Sequence, residues 1–363
     1  MNNTFGNNIS LTLFGESHGT VIGAVLDGIC AGVKIDEEKI EKEISKRRPF
    51  GKISTPRHEK DEVKIVSGVM NGVSVGTPIT LLIENSNTNS KDYALLKDTP
   101  RPSHADYTAS VKYKGNQDYR GGGHFSGRLT APIVAAGAIV EEMLKEKGIQ
   151  IGTHIKRLHG ISDRDFTDYK EDIALLSDKL FPVLDPACEE QMTNEILNAA
   201  QMGDSVGGIL ECAIIGLEAG IGEPWFDSLE STLSHVLFSI PGVKGVEFGL
   251  GFGFADKYGS EANDPFRING EKIFTSTNHS GGINGGISNG MPIVFRVAIR
   301  PTPSIFKEQE TVNLSRMENT LLKLEGRHDP AIIHRARAVV DALTALAIAD
   351  ALTITYGISY FGG

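Results

Sequence analysis

The chain has 363 residues, 40% of them hydrophobic and 23% charged, a composition that excludes a disordered or fibrous protein and suffices for one large domain or two moderate ones. Its formal net charge of −10 argues against a nucleic-acid binder, which would attract phosphate backbones through a basic face. No apolar run reads as a membrane span, and Met1-Asn2-Asn3-Thr4-Phe5-Gly6 lacks the basic start and apolar core of a signal peptide, so a cytoplasmic location and no membrane partner are expected. Cys30, Cys188 and Cys212 are scattered and without a C-x-x-C pair, which argues against a disulfide framework or a zinc site; they read as buried small residues.

In chain order, a β-type run over 9–14 ends in Gly15-Glu16-Ser17-His18-Gly19. Glycines there let the backbone turn and let a ligand approach, and a histidine can exchange a proton near neutral pH. A strand over 20–26 and a helix over 36–48 follow, with Asp36 as the N-cap. The basic residues then bunch, with Arg47, Arg48, Lys52, Arg57 and His58 in one group. Arg101-Pro102-Ser103-His104-Ala105-Asp106, Arg120-Gly121-Gly122-Gly123-His124-Phe125-Ser126-Gly127-Arg128, Arg300-Pro301-Thr302-Pro303-Ser304 and Gly326-Arg327-His328-Asp329-Pro330 supply further loops. Basic loops on an acidic chain suit a small anionic ligand better than a polymer. For Arg47 and Arg48 the plainer alternative is that they cap a helix C-terminus.

The second half echoes the first. Gly15-Glu16-Ser17-His18-Gly19 and the strand after it resemble Gly203-Asp204-Ser205-Val206-Gly207 and the strand after that. Gly72-Val73-Ser74-Val75-Gly76-Thr77-Pro78-Ile79 matches Gly286-Ile287-Ser288-Asn289-Gly290-Met291-Pro292-Ile293, each leading into an apolar strand (80–83 and 294–299). Helices over 36–48 and 228–239 lie between the paired segments, and long apolar helices over 131–147 and 333–354 close the halves. These closing helices are too apolar for a surface position and belong in a central layer. The expected fold is α+β, an internally duplicated β-α-β-β-α core with pseudo-twofold symmetry, its apolar helices sandwiched between antiparallel sheets. A single domain over 1–363 is expected, with halves at about 1–150 and 201–363 and an insertion at about 151–200.

Common nucleotide signatures are absent. No G-x-x-x-x-G-K-[ST] occurs, and Ser126 stands where G-x-G-x-x-G needs its last glycine. The histidines lack metal-ligand spacing, so no metal is expected. The triglycine, Ser126 and the helix start beyond them read as a cradle for a flavin or phosphate. Asp329, just before the last helix, reads either as an N-cap or as a proton-handling carboxylate.

Phe14-Gly15-Glu16-Ser17-His18-Gly19, Arg101 to Asp106, Asp118-Tyr119-Arg120-Gly121-Gly122-Gly123 and Gly326 to Pro330 resemble, in order, the signature segments of the chorismate synthase family. That resemblance implies an anti-1,4-elimination of phosphate from 5-enolpyruvylshikimate 3-phosphate, giving chorismate, in the shikimate pathway to aromatic amino acids. Reduced FMN is implied as cofactor without net redox change, with FAD as the related flavin form and NADPH as an indirect reductant. Carried over by position, His18 would protonate the departing phosphate, His104 would act at the flavin N1–C2 edge, and Asp329 would assist proton removal through flavin N5. Cofactor segments fall on His124, Phe125, Ser126, Gly242, Gly285, Arg300 to Ser304 and Arg327. Arg47, Arg48, Lys52 and Arg128 fall on positions for substrate or NADP phosphate. The family commonly has Arg-Ser-Ser-Ala-Arg-Glu-Thr where this chain has His124-Phe125-Ser126-Gly127-Arg128-Leu129-Thr130, and Asn-Ala where it has Pro241-Gly242. A homotetramer and an external flavin reductase are further implied. The alternatives are a non-catalytic flavin- or nucleotide-binding protein on the same core and a metal-dependent sugar-phosphate phosphatase; His18, His104 and Asp329 speak against the first, and the lack of carboxylate clusters around the histidines against the second.

Overall fold

The structure is a computed structural model that describes residues 3–55, 60–85, 95–326 and 328–362. Two five-stranded antiparallel sheets frame it. In the first, Thr4–Phe5, Ser10–Gly15, Val21–Asp27, Ile79–Glu84 and Val63–Ser67 lie side by side in that order. The second holds Ile161–Ser162, Gln150–Leu158, Gly208–Ile215, Ile293–Ile299 and Val243–Phe248. In both sheets the four main strands, taken in chain order, are arranged first, second, fourth, third.

Strand and helix chemistry follow the local sequence. Ile79, Leu81 and Ile83 are fully buried while their neighbours Thr80 and Leu82 are not, the period-two pattern of a sheet with one covered face. Glu37–Arg47 begins at Asp36, whose carboxylate accepts the Lys39 N–H at 3.1 Å, and carries acidic residues in its first turn and basic ones in its last. Ser228 caps Leu229–Leu237 in the same way.

Between the sheets run the helices Thr130–Glu146 and Ile333–Tyr356, packed on each other, the first against the first sheet and the second against the second. Ile333–Tyr356 is long and apolar enough to cross a membrane by length and composition, with mean hydropathy 1.7, contrary to the reading of the sequence. Its most apolar window is 83% buried inside the protein, so it serves as a core helix. Of the three cysteines, Cys188 and Cys212 are buried and Cys30 is partly exposed.

One expected boundary moves. The insertion placed at 151–200 includes Gln150–Leu158, which pairs along its length with Gly208–Ile215 and is an integral strand. The second half therefore begins near 150, and the added material is the helical piece with Tyr169–Leu176 and Pro186–Gln201. His154 interrupts the apolar run that would have marked this strand. Fully buried, its Nδ1 meets Asp163 at 2.9 Å and its Nε2 meets Glu211 on the neighbouring strand at 3.2 Å. Burial works against a charged ring there, but the two carboxylates outweigh it and raise its pKa.

The two central helices approach most closely at Gly137, where a Cβ would lie 2.2 Å from the Ala342 Cβ and 2.5 Å from its Cα. Gly137→Ala gains helix propensity yet forces two backbones apart, so it is expected to destabilise the fold by roughly 1–3 kcal/mol, the usual cost of overpacking. Chemical denaturation at neutral pH measures this, and a variant as stable as the parent would refute the close-packed crossing.

Candidate active site

A cavity of about 1060 Å³ opens at the N-terminal ends of the two central helices, where Thr130, Ile133, Ile332 and Ala336 reach its wall. Loops from both halves complete it, including the triglycine loop, the 300–304 segment and the 328–329 segment.

The triglycine is wedged between two histidines. Gly121, Gly122 and Gly123 have φ of +58°, +84° and +54°, which favours residues without a Cβ. A Cβ on Gly121 would sit 2.2 Å from the His18 ring, and one on Gly122 would sit 3.3 Å from the His104 ring. The loop is tied down by the Ser17 N–H, which donates to Gly123 O at 3.1 Å. The Ser17 hydroxyl donates to the carbonyls of Gly121 and Arg120 (3.0 and 3.2 Å), so the His18 Nδ1–H, 3.1 Å away, is the donor in their contact. His18 itself is buried one glycine behind the wall, while Gly121 lines the cavity.

His104 is on the wall. Its Nδ1 lies 2.6 Å from Asp106 Oδ1, and a carboxylate can only accept, so Nδ1 carries the proton. Arg101 grips the same carboxylate through Nε and Nη2, both at 2.8 Å, and reaches Ser304 Oγ at 3.3 Å. Burial raises the Asp106 pKa, but the hydrogen bonds from Arg101 and His104 overcome it and hold the carboxyl well below the usual range.

Asp329 is not a helix cap. The last helix starts at Ile333 with Ile332 at its N-cap position, and Asp329 instead accepts from the Thr55 N–H (3.0 Å) and from Arg335 Nη1 (2.7 Å). Its backbone carbonyl receives the Thr302 hydroxyl at 2.7 Å, which joins the two last site loops. His328 beside it has a pKa lowered by burial first and then by Arg101.

Arg300 differs from the other cavity arginines. Its Nε is buried with no partner, and burial alone lowers its pKa with no carboxylate to offset it. Arg47 and Arg128, by contrast, both reach the cavity and both donate to the buried Asp61. This places Arg47 in the site and not in the role of a helix C-terminal cap.

Of the positions expected from the sequence, His104, His124, Phe125, Ser126, Gly242, Arg300, Pro301, Thr302, Pro303, Ser304, Asp329, Arg47 and Arg128 converge on the cavity. His124 occupies a position where a longer cation is common, and its Nδ1–H is donated to Gly15 O at 2.8 Å, linking the loop to the first sheet. The Ser126 hydroxyl accepts the Arg128 N–H at 3.3 Å and so caps the Gly127–Leu129 turn. Four expected residues are off the wall: His18 is buried behind Gly121, and three lie elsewhere. Arg48 is held by Glu41 and by Lys60 O, Lys52 is exposed away from the cavity, and Gly285 turns the hairpin between Ile283–Asn284 and Ile287–Ser288. Local pairing takes Arg48 off the wall, and hairpin geometry takes Gly285. Arg327, Arg57 and His58 lie outside the described residues. Asp61, Thr55 and Arg335 were not singled out by sequence, because their importance comes from partners far along the chain. Among the described residues no group of three His, Cys, Asp or Glu is placed to hold a metal ion.

Comparison with known proteins addresses the same arrangement. The family model for chorismate synthase matches residues 9–353. The chain belongs to the chorismate synthase family. Chorismate synthases of Methanobrevibacter smithii and Thermococcus gammatolerans are 47% and 45% identical to it over 353 and 352 residues, with 96% of each chain covered in both comparisons. A crystal structure of chorismate synthase superposes with a TM-score of 0.76 at 29% identity, covering 97% of this chain and 94% of that one. Family membership makes the protein a carbon–oxygen lyase that releases phosphate from a small-molecule substrate.

Asp106 has a depressed pKa, so its contribution to stability is full above the unfolded value near 3.9 and is lost as pH falls through the folded value. Asp106→Asn is expected to cost roughly 3–5 kcal/mol at neutral pH, the usual effect of breaking a buried pair. The gap between variant and parent should shrink below about pH 4. A gap unchanged from about pH 6 to 3 would contradict the ion-pair assignment.

Proposed function

We propose that this lyase converts 5-enolpyruvylshikimate 3-phosphate to chorismate by anti-1,4-elimination of phosphate, with reduced FMN as its cofactor. The single observation that carries this is a cavity of about 1060 Å³ on a strongly acidic chain that gathers Arg47, Arg101, Arg128, Arg300 and Arg335 around one acidic wall residue, Asp329. A substrate with two carboxylates and a phosphate needs such a concentration of cations.

The residues present suit a flavin mononucleotide. Arg300 offers an Nε buried without a partner among the described residues, and the triglycine leaves a wall free of side chains beside His104. Arg300 to Ser304 with Gly242, His124 and Phe125 would hold it. When bound, the reduced flavin supplies an electron transiently to the substrate, so that phosphate leaves with no net oxidation.

The chain's own groups then divide the proton work. Arg47 and Arg128 face the substrate's anionic groups and bind them. His18, packed behind Gly121, is the acid for the departing phosphate, and His104, its Nδ1–H held by Asp106, is the imidazole on the cofactor side. Asp329 is the carboxylate for the ring proton, with Arg335 and the Thr55 N–H holding it in place.

The shared strand order of the two sheets supports internal duplication with pseudo-twofold symmetry in a single domain. So do the matched serines: Ser74 Oγ accepts from Val33 N and donates to Cys30 O, as Ser288 Oγ accepts from Ile221 N and donates to Glu218 O. Exposed Trp225, Phe226, Phe252 and Tyr258 support a homotetramer, in which Gly285, Arg48 or Lys52 would meet cofactor or NADPH phosphate from another copy. A cytoplasmic setting and a separate flavin reductase complete the proposal.

Two experiments test it. Chorismate formation followed anaerobically should require reduced FMN, and equal turnover with oxidised flavin would sink the cofactor assignment. Asp329→Asn keeps the size and one acceptor for the Thr55 N–H but removes the basic carboxylate. It should lower kcat by roughly 100-fold or more with the melting temperature little changed; a rate within about threefold of the parent, under 1 kcal/mol in barrier, would remove Asp329 from the proton transfer.

A further inference from the structure

Arg47 ends the Glu37–Arg47 helix and Arg128 lies in the Gly127–Leu129 turn, yet their guanidinium groups meet on one carboxylate. Asp61 Oδ2 accepts from Arg47 Nη1 at 3.1 Å, and Asp61 Oδ1 accepts from Arg128 Nη1. The Asp61 side chain has 0% exposure, while both arginines line the cavity. The carboxylate therefore stands behind the arginines. Asp61 itself holds φ of +47°, a left-handed conformation that aspartate tolerates and that turns its side chain inward.

Both arginines also donate to neutral acceptors. Arg47 Nε donates to Thr130 Oγ1 at 2.8 Å and its Nη2 to Gly127 O at 2.8 Å; Arg128 Nε donates to Asn85 Oδ1 at 3.1 Å. Two guanidinium groups thus share the buried Asp61 carboxylate, and both stand on the cavity wall. Side by side, two guanidinium groups repel, and a bridging carboxylate fixes their spacing.

We infer that Asp61 is a positioning residue: by bridging Arg47 and Arg128 from behind, it sets the two-point edge that receives an oxyanion group of the substrate. This rests on the proposed function only for the identity of the substrate. Simple charge balance predicts the opposite sign. Neutralising a carboxylate beside an anion site makes the site more positive and should tighten anion binding, whereas losing the bridge misaligns the arginines and weakens it.

The test compares Asp61→Asn and Asp61→Glu with the parent by titrating inorganic phosphate calorimetrically and by steady-state kinetics at saturating reduced FMN. For Asp61→Asn we expect the phosphate Kd and the substrate KM to rise about tenfold or more with kcat within about threefold, the pattern of a lost charged partner that acts on binding. Asp61→Glu, which keeps the charge on a longer arm, should fall between the two. Unchanged or tighter binding in Asp61→Asn overturns the inference. If that variant does not fold, Asp61→Glu is decisive alone: a KM raised about threefold or more at constant kcat supports the bridge, and a parental KM overturns it. A parent enzyme that binds phosphate but forms no chorismate would refute the functional reading and leave the phosphate comparison able to judge Asp61.

Discussion

The contact of Gly137 with Ala342 is the constraint on which the site depends. It lets two apolar helices touch backbone to backbone in the middle of the molecule, with one sheet outside each. Thr130 and Ile133 of one helix start and Ile332 and Ala336 of the other line one cavity, so both N-terminal ends emerge on the same side. The loops that run into those ends are 120–129 and 328–332, which carry the triglycine, Arg128 and Asp329. Helix starts also bear partial positive charge. The core packing therefore brings the chemistry-bearing loops together and gives their meeting point an affinity for anions before any side chain is considered.

Folding without a ligand poses an electrostatic problem for such a site, because clustered guanidinium groups repel and lose hydration. The chain solves it with carboxylates placed away from where a ligand must sit. Asp61 stands behind Arg47 and Arg128, and Asp106 behind Arg101 and His104. Asp329 alone reaches the cavity, and it is paired with Arg335. Arg300 has no such partner, so its demand for an anion is the least satisfied in the wall.

Local signals explain what the sequence reveals. Asp36 and Ser228 cap helices where a short polar residue precedes an amphipathic run, and glycine-serine-glycine-proline spacing marks the two turns that lead to the fourth strands. Long-range partners explain what it hides. His154 makes a core strand look like a loop until Asp163 and Glu211 are brought to it, and Asp329 looks like a cap until Thr55 and Arg335 are. Asp61 carries no local signature, since its meaning lies in two arginines on other elements. Family resemblance pointed to the charged loops of the cavity wall but could not place Gly285, Arg48 or Lys52 relative to it, because position in a motif does not specify which way a loop folds.

The two halves also show how one scaffold can be used unequally. Ser17 and Ser205 hold matching positions, and each donates its hydroxyl to a backbone carbonyl of a site loop: Ser17 to Gly121 and Ser205 to Thr302. The next residue differs. His18 packs on the triglycine and receives support from the Ser17 hydroxyl, whereas Val206 is buried as an ordinary apolar side chain. The serine bond is needed in both halves because it ties a turn to the loop that shapes the cavity. A buried imidazole needs a polar partner, which the Ser17 hydroxyl gives His18, whereas Val206 needs none in the apolar core.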